Sequence, residues 1–392
     1  MAFRSQASFH NEKNQKNILL PLTNTKFLLK YSHVGDITDN LTQISKIVIF
    51  SDYFLDFSKT DISLKVINLP LAIKENKLLR YIYAILYSLM GVLYLKNYDA
   101  IFTLSGGPAA ISSLVIKLIT RKPLITLVRS DFTEYKSYNN ISPVEKLLLL
   151  IHEILMRSLL RISDKIIAIY EHLYLLVRNY LGIPQEKCEL IYLPVDLRKF
   201  SKGKGLKFNK SGDFHVGFVG RFSYENGSDL FLKVARSLYQ YDPSIIFIFV
   251  GNKPEGQDLP PNIIITGFVP HIEIPTYLSS FDLFLSLKRS KGLPVAVIEA
   301  LACGVPTIGI NITDKIILNS GAVIIINEDK EDKLIESIVS LILQLKNNKE
   351  KLKEMSNNAS RIAFTYFSPL SFTHKINILV TNLLSIKRHR RI

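Results

Sequence analysis

Leu285-Ser-Leu-Lys-Arg-Ser-Lys-Gly-Leu-Pro-Val-Ala-Val-Ile-Glu-Ala-Leu-Ala-Cys-Gly-Val-Pro306 changes character twice within a few residues. Its start belongs to Phe281-Asp-Leu-Phe-Leu-Ser-Leu287, an apolar run that reads as a strand. Lys288 to Gly292 is a polar loop, and Pro294 then opens a helix in which Ala300, Ala302 and Gly304 permit close packing. A helix N-terminus aimed into such a loop offers backbone N–H groups with no partner inside the helix, and an anion can take them. Glu299 is the one carboxylate of the stretch. An ordinary strand, loop and helix with a surface glutamate fits the same residues, so the stretch speaks for an α/β fold before it speaks for a ligand.

A second strand and loop stand upstream. Phe214-His-Val-Gly-Phe-Val-Gly220 reads as a short buried strand, Arg221-Phe-Ser-Tyr-Glu-Asn-Gly227 as a loop, and Asp229 to Tyr239 as a helix. Gly220 lets the backbone approach a ligand closely, and the planar fork of Arg221 suits phosphate oxygens. Gly217 and Gly220 are three apart, so the GxGxxG fingerprint of dinucleotide-binding folds is absent and a nicotinamide or flavin reading lacks its main support.

The amino-terminal half alternates strands and helices, which predicts a mainly parallel sheet with helices on both faces. Strands are expected at Ile44 to Ser51, Ala100 to Leu104, Leu124 to Val128 and Lys165 to Tyr170. Helices are expected at Lys77 to Tyr94, Ala109 to Ile119 and Pro143 to Ile162, with a break at Ser163-Asp164. Residues 1–30 show no clear period. Ser105-Gly106-Gly107-Pro108 is a tight turn, or a turn whose backbone donors face a cleft. Lys202-Gly-Lys-Gly205 is a natural hinge.

In order along the chain, these segments resemble the family 4 glycosyltransferases, retaining enzymes that take a sugar from a nucleotide-sugar donor. The matching residues are Gly217 to Gly227, Ile265-Thr-Gly-Phe-Val-Pro-His271, Tyr277 to Asp282, Arg289-Ser-Lys-Gly-Leu-Pro294 and Glu299-Ala-Leu-Ala-Cys-Gly-Val-Pro306. Leu193-Pro-Val-Asp-Leu-Arg-Lys-Phe200 is similar to the family's interdomain loop. The resemblance spans residues 98–385 and is strongest after Ile191. It implies an α/β chain of the GT-B fold, with two Rossmann-like doubly wound domains facing each other across a cleft. Residues 1–203 would form the acceptor domain and 204–366 the nucleotide-sugar-binding domain, while 367–392 would supply a helix crossing back and a basic tail.

Site roles follow from the same resemblance. Arg221 would contact the donor diphosphate, Glu299 would bridge the ribose hydroxyls, and backbone around Phe268, Val269 and Pro270 would frame the base. Gly292, Leu293 and Val295 would bring N–H groups toward phosphates and sugar, with Gly220 and Asn226 completing the donor side. Arg129, Gly106 and Gly107 would face the acceptor. The chemistry agrees, since a carboxylate accepts two hydroxyl hydrogen bonds and cations offset the charge of a departing diphosphate. No metal and no cofactor beyond the donor sugar nucleotide is implied.

The chain departs from the family pattern in three places. Asn226 stands where the family has a second cation for the diphosphate, Lys291 stands eight residues before Glu299 where the family has a glutamate, and Arg129 ends the strand that in many members ends in histidine. Two readings stay open. Either Lys291 joins Arg221 and Glu299 as a catalytic group, supplying the lost phosphate charge or pairing with an anionic donor sugar, or the chain is a catalytically degenerate GT-B subunit that partners or regulates an active transferase.

Composition sets the outer bounds. A chain of 392 residues with 47% apolar residues has enough for two cores, and two cysteines, Cys188 and Cys303, argue against a disulfide framework and for a cytoplasmic setting. Cys303 reads as a small packed residue. The net charge of +15, from 49 basic and 34 acidic residues, calls for an anionic partner. No zinc-finger, RRM or KH signature points to nucleic acid, whereas a peripheral place on an anionic inner membrane face fits basic surface combined with apolar side chains. Lys146 to Arg161 has that combination on a helix, and Lys387 to Arg391 is a basic run; a core-facing helix and a solvated tail fit them as well. Tyr81 to Leu95 falls short of the ~20 residues a membrane span needs, and Met1 to Asn17 lacks a signal-peptide core. The expected acceptor is a glycan or a polyprenyl-linked lipid.

Overall fold

The computed structural model describes residues 16–21, 45–51, 65–68, 100–104, 108–133, 142–203, 205–206, 214–252, 256 and 258–389. Outside them lie the expected helix Lys77 to Tyr94, the loop glycines Gly106 and Gly107, the hinge residue Lys204, most of residues 1–30 and the last residues of the basic tail. The chain divides into two compact units, one of residues 1–29, 38–167 and 375–392, the other of residues 30–37 and 168–374.

Strands β1 (Lys16–Pro21), β2 (Ser45–Ser51), β3 (Lys65–Asn68) and β4 (Ala100–Leu104) are followed by helix α1 (Pro108–Thr120), β5 (Leu124–Val128), α2 (Pro143–Ile162) and β6 (Lys165–Ala168). Then come α3 (Glu171–Leu175) and β7 (Cys188–Leu190). These seven strands form one sheet in the order β3-β2-β1-β4-β5-β6-β7. The pairings of β1 with β2 and β4, of β2 with β3 and of β4 with β5 are parallel. Every residue of β5 is buried, as a parallel strand covered on both faces requires. The break at Ser163-Asp164 has a structural task. The Asp164 carboxylate accepts the Leu124 N–H (2.8 Å) and pairs with Lys117 (2.6 Å), which fixes the start of β6 against β5 and the end of α1.

The second unit repeats the plan. In order it holds β8 (Phe214–Val219), α4 (Ser228–Tyr241), β9 (Ile245–Val250), β10 (Ile263–Ile265), α5 (Ile274–Leu278) and β11 (Leu283–Ser286). It continues through α6 (Val295–Ala302), β12 (Thr307–Gly309), α7 (Lys315–Leu318), β13 (Val323–Ile325), α8 (Glu331–Lys346) and α9 (Lys349–Tyr366), and α10 (Pro369–His389) closes the described chain. Its sheet is parallel, in the order β10-β9-β8-β11-β12-β13. Phenylalanines dominate its core. Phe218 and Phe249 stack at 5.0 Å between centroids, and Phe231 of α4 meets Phe247 edge-on. Cys303 is buried here and its thiol is pushed up to about 12 by that burial, so it packs as a small apolar group.

One polar knot stands out in this unit. The buried Asp314 carboxylate accepts the Glu171 N–H (2.8 Å), and Glu171 in return accepts the Lys315 N–H (2.8 Å), so the starts of α3 and α7 cap each other. Burial pushes the Asp314 carboxyl up to about 6.

Candidate functional site

The second sheet turns its winding direction between β8 and β11. From β8 the chain builds outward to β9 and β10, and from β11 it builds the opposite way to β12 and β13. β8 and β11 are direct neighbours, with Val216 opposite Leu283 and Gly217 opposite Phe284. In open parallel sheets a ligand crevice lies outside the carboxyl ends of the strands at such a point. The two segments that leave the sheet there are Gly220 to Gly227 after β8 and Leu287 to Pro294 after β11, the same two loops the sequence singled out.

Both loops are bound to each other. Gly227 has φ +73°, and a β-carbon on it would stand 1.9 Å from the Leu287 carbonyl oxygen, so only glycine lets the first loop lie on the end of the β11 segment. Arg289 fastens the contact. Its backbone N–H donates to the Glu225 carbonyl (2.9 Å), its guanidinium grips Asp229 with two bonds of 2.7 and 2.8 Å, and it lies 3.6 Å from the Tyr224 ring centroid. Burial alone would raise the Asp229 carboxyl, but the Arg289 bonds more than offset it and leave it below its ordinary value. Asn226 is engaged inside its own loop, where its side-chain amide donates to the Arg221 carbonyl (3.1 Å) beside the Ser228 hydroxyl, which donates to the same oxygen (3.1 Å). This network holds the Arg221 backbone while its side chain stays exposed and joins no ion pair among the described residues. Lys291 is likewise exposed.

Glu299 is buried in α6 and is met by His271, whose Nε2 lies 2.7 Å from its Oε1. Phe200 backs the imidazole at 5.1 Å. The N-terminus of α6 has Pro294 at its cap position and no side-chain cap; the Val297 N–H donates to the Pro294 carbonyl (3.0 Å), which leaves the first two amides of the helix, those of Val295 and Ala296, for a ligand. Gly292 sits at φ +144° beneath the Tyr170 ring, which a β-carbon would approach to 3.0 Å. Its N–H, expected to face phosphate or sugar, instead donates to the Asn311 carbonyl (3.2 Å), and the Asn311 side chain donates to the Arg289 carbonyl (2.9 Å). Leu293 is buried and Val295 half-buried, while Phe268 is exposed and Val269 half-buried in the loop that leads to His271.

On the other sheet, Arg129 directly follows β5, and burial lowers the pKa of its guanidinium. Among the described residues no group of three His, Cys, Asp or Glu side chains is arranged to hold a metal ion. Three residues of the site were not singled out in the sequence: His271, Arg289 and Asn311. His271 closes a segment already quoted, and a titratable side chain just after the Phe-Val-Pro turn is the signal that pointed to it. Arg289 reads as one more loop charge until Asp229, in the first turn of the helix after the Arg221 loop, is seen to be its partner.

Residues 206–362 match the family model described as glycosyl transferases group 1. The 2-deoxystreptamine glucosyltransferase of Streptomyces kanamyceticus is 27% identical over 122 residues, 29% of this chain and 31% of that protein. The GDP-mannose-dependent alpha-mannosyltransferase of Corynebacterium glutamicum is 35% identical over 125 residues, 29% of each chain. The chain thus spans less than a third of the length of these curated relatives. Among solved structures, the Anabaena protein HepE, crystallised with UDP and glucose, superposes with a TM-score of 0.69 at 16% identity, covering 93% of this chain and 99% of that one. That likeness establishes the fold as GT-B, with Rossmann-like domains.

Proposed function

We infer that this chain, a member of the glycosyl transferases of group 1 through residues 206–362, moves a sugar from a nucleoside-diphosphate sugar to a glycan or lipid-linked acceptor. The observation that carries this reading is the junction at the β8/β11 switch point, where one of two interlocked loops holds the exposed Arg221 and the other leads into α6, the helix that carries the buried Glu299. Arg221 and the α6 amides offset the charge that builds on the leaving diphosphate, which is where binding energy lowers the barrier most. Glu299 accepts hydrogen bonds from the ribose hydroxyls, with His271 fixing its carboxylate. Phe268 and Val269 frame the base, and Gly292, Leu293 and Val295 line the turn toward the sugar.

Asn226 leaves the diphosphate one cation short of the usual pattern, and Lys291 supplies the replacement charge. The reaction is of the hexosyl-transfer type, retains the anomeric configuration as the family resemblance implies, and uses no metal ion. Arg129 is assigned to the acceptor, with Gly106 and Gly107, as the family resemblance implies. The test is release of nucleoside diphosphate by the full chain in the presence of a nucleotide sugar and a glycan or polyprenyl-phosphate acceptor, with the product's anomeric centre read by NMR. Acceptor-dependent release that falls at least about a hundredfold in Arg221→Ala supports the reading. Release indifferent to that substitution overturns the role given to Arg221, and no acceptor-dependent release with any donor overturns the reading and returns the chain to the role of a non-catalytic subunit.

A further inference from the structure

Helix α2 buries one face and leaves an apolar stripe on the other. Glu153, Met156, Leu159 and Leu160 are buried, while Leu147 (57% exposed), Leu150 (45%), Ile151 (45%) and Ile154 (54%) stand in solvent. The spacing i, i+3, i+4, i+7 puts these four on a single stripe two turns long. Single exposed apolar residues are ordinary on a protein surface, but four contiguous ones on one helix face call for a partner.

The charges around the stripe say which partner. Lys146 precedes it, and Arg161 follows Ile154 by seven residues on the same face. The described acidic side chain of α2, Glu153, is turned inward and bonded to Arg157 (2.6 Å), so it adds no negative charge to the stripe. The neighbouring α1 also ends in exposed apolar and basic residues. Its last turn is tied to the end of α2 by the Lys117 bond to Asp164, and there Leu118 (62%) and Ile119 (50%) are exposed beside the exposed Arg121. The chain as a whole carries a net charge of +15. Apolar side chains framed by basic ones match the boundary of an anionic bilayer, where the first enter the acyl region and the second meet the headgroups.

We propose that the exposed face of α2, with the end of α1, docks this chain onto an anionic membrane surface. No helix among the described residues is long and apolar enough to cross a membrane. The docking stands on surface residues remote in sequence from the transfer site and does not depend on the transferase reading.

Co-sedimentation of the purified full chain with vesicles of phosphatidylcholine alone, and of phosphatidylcholine mixed with phosphatidylglycerol, tests it. Binding is expected to the anionic vesicles and to weaken as salt rises. The double substitution Ile151→Glu/Ile154→Glu is expected to reduce vesicle partition at least about tenfold and Lys146→Glu to reduce it less. Both variants should keep the wild-type thermal transition and the wild-type affinity for nucleotide sugar, because the altered side chains are exposed. Equal partition of wild type and double variant, or no preference for the anionic lipid, would overturn the proposal. So would a wild-type dimer that the double variant converts to monomer, since the stripe would then serve a second copy of the chain.

Discussion

Gly227 is the residue on which the site's geometry turns, since its positive φ and its contact with the Leu287 carbonyl both exclude a β-carbon. Gly227→Ala should cost at least about 2 kcal/mol of unfolding free energy, read by denaturant titration, because the clash is with backbone that cannot swing aside. His271→Ala removes a hydrogen-bonding partner from the buried Glu299 and should weaken nucleotide-sugar binding and also lower the unfolding midpoint, since a buried carboxylate loses a partner; a variant that binds as well as the wild type would deny His271 a positioning role. If Lys291 faces an acidic donor sugar, Lys291→Glu should weaken an acidic-sugar donor more than a neutral one, and equal effects would leave Lys291 as a phosphate charge only. Arg221 drew attention in the sequence because it follows Gly220 at a strand end, and Glu299 because it is the one carboxylate of its stretch; the roles given to both came from the family resemblance. His271 was not, because its importance comes from Glu299, twenty-eight residues further along the chain. Asn226 was noticed as a missing cation, whereas its hydrogen bond to the Arg221 carbonyl became visible only in the folded loop.

The two loops act as one element because Arg289 bridges the second loop to the first turn of α4. Lysine keeps the charge but cannot match both Asp229 oxygens or lie flat on the Tyr224 ring. Arg289→Lys should therefore lower stability by about 1–2 kcal/mol and weaken donor binding by loosening the Arg221 loop, measurable by thermal unfolding and calorimetry on the same sample. Elements with a long apolar run were readable in advance. Leu124–Val128 was expected over those same residues, and the helices at 108–120 and 143–162 differ from expectation by a residue or less. β1, Lys16–Pro21, and β3, Lys65–Asn68, escaped notice. A strand of four residues is too short to establish a period, and the proline that ends β1 imitates a turn.

At the scale of the whole molecule, two parallel sheets each wind outward from an internal pair of strands, β1 with β4 and β8 with β11, and that repetition was implied by the alternating pattern of strands and helices. Long-range polar contacts were not implied. Asp314 and Glu171 cap each other across more than a hundred residues, and no local pattern announces the pair. The raised Asp314 pKa makes a statement about stability. Because the folded chain holds this proton more tightly than the unfolded chain, the group favours folding below about pH 4, and that contribution is lost as pH rises through about 6. The loss is on the order of 3 kcal/mol, so Asp314→Asn, which can still accept the Glu171 N–H, should flatten the stability profile between pH 4 and 6. The central proposal is a nucleotide-sugar site at the β8/β11 junction. Calorimetric titration of UDP, GDP and ADP and their neutral and acidic sugar derivatives into the wild type and into Glu299→Ala examines it most directly. Micromolar binding of one nucleotide sugar, abolished in a Glu299→Ala variant that still unfolds cooperatively, is the predicted result; no binding across the panel, or binding that Glu299→Ala leaves intact, would contradict it.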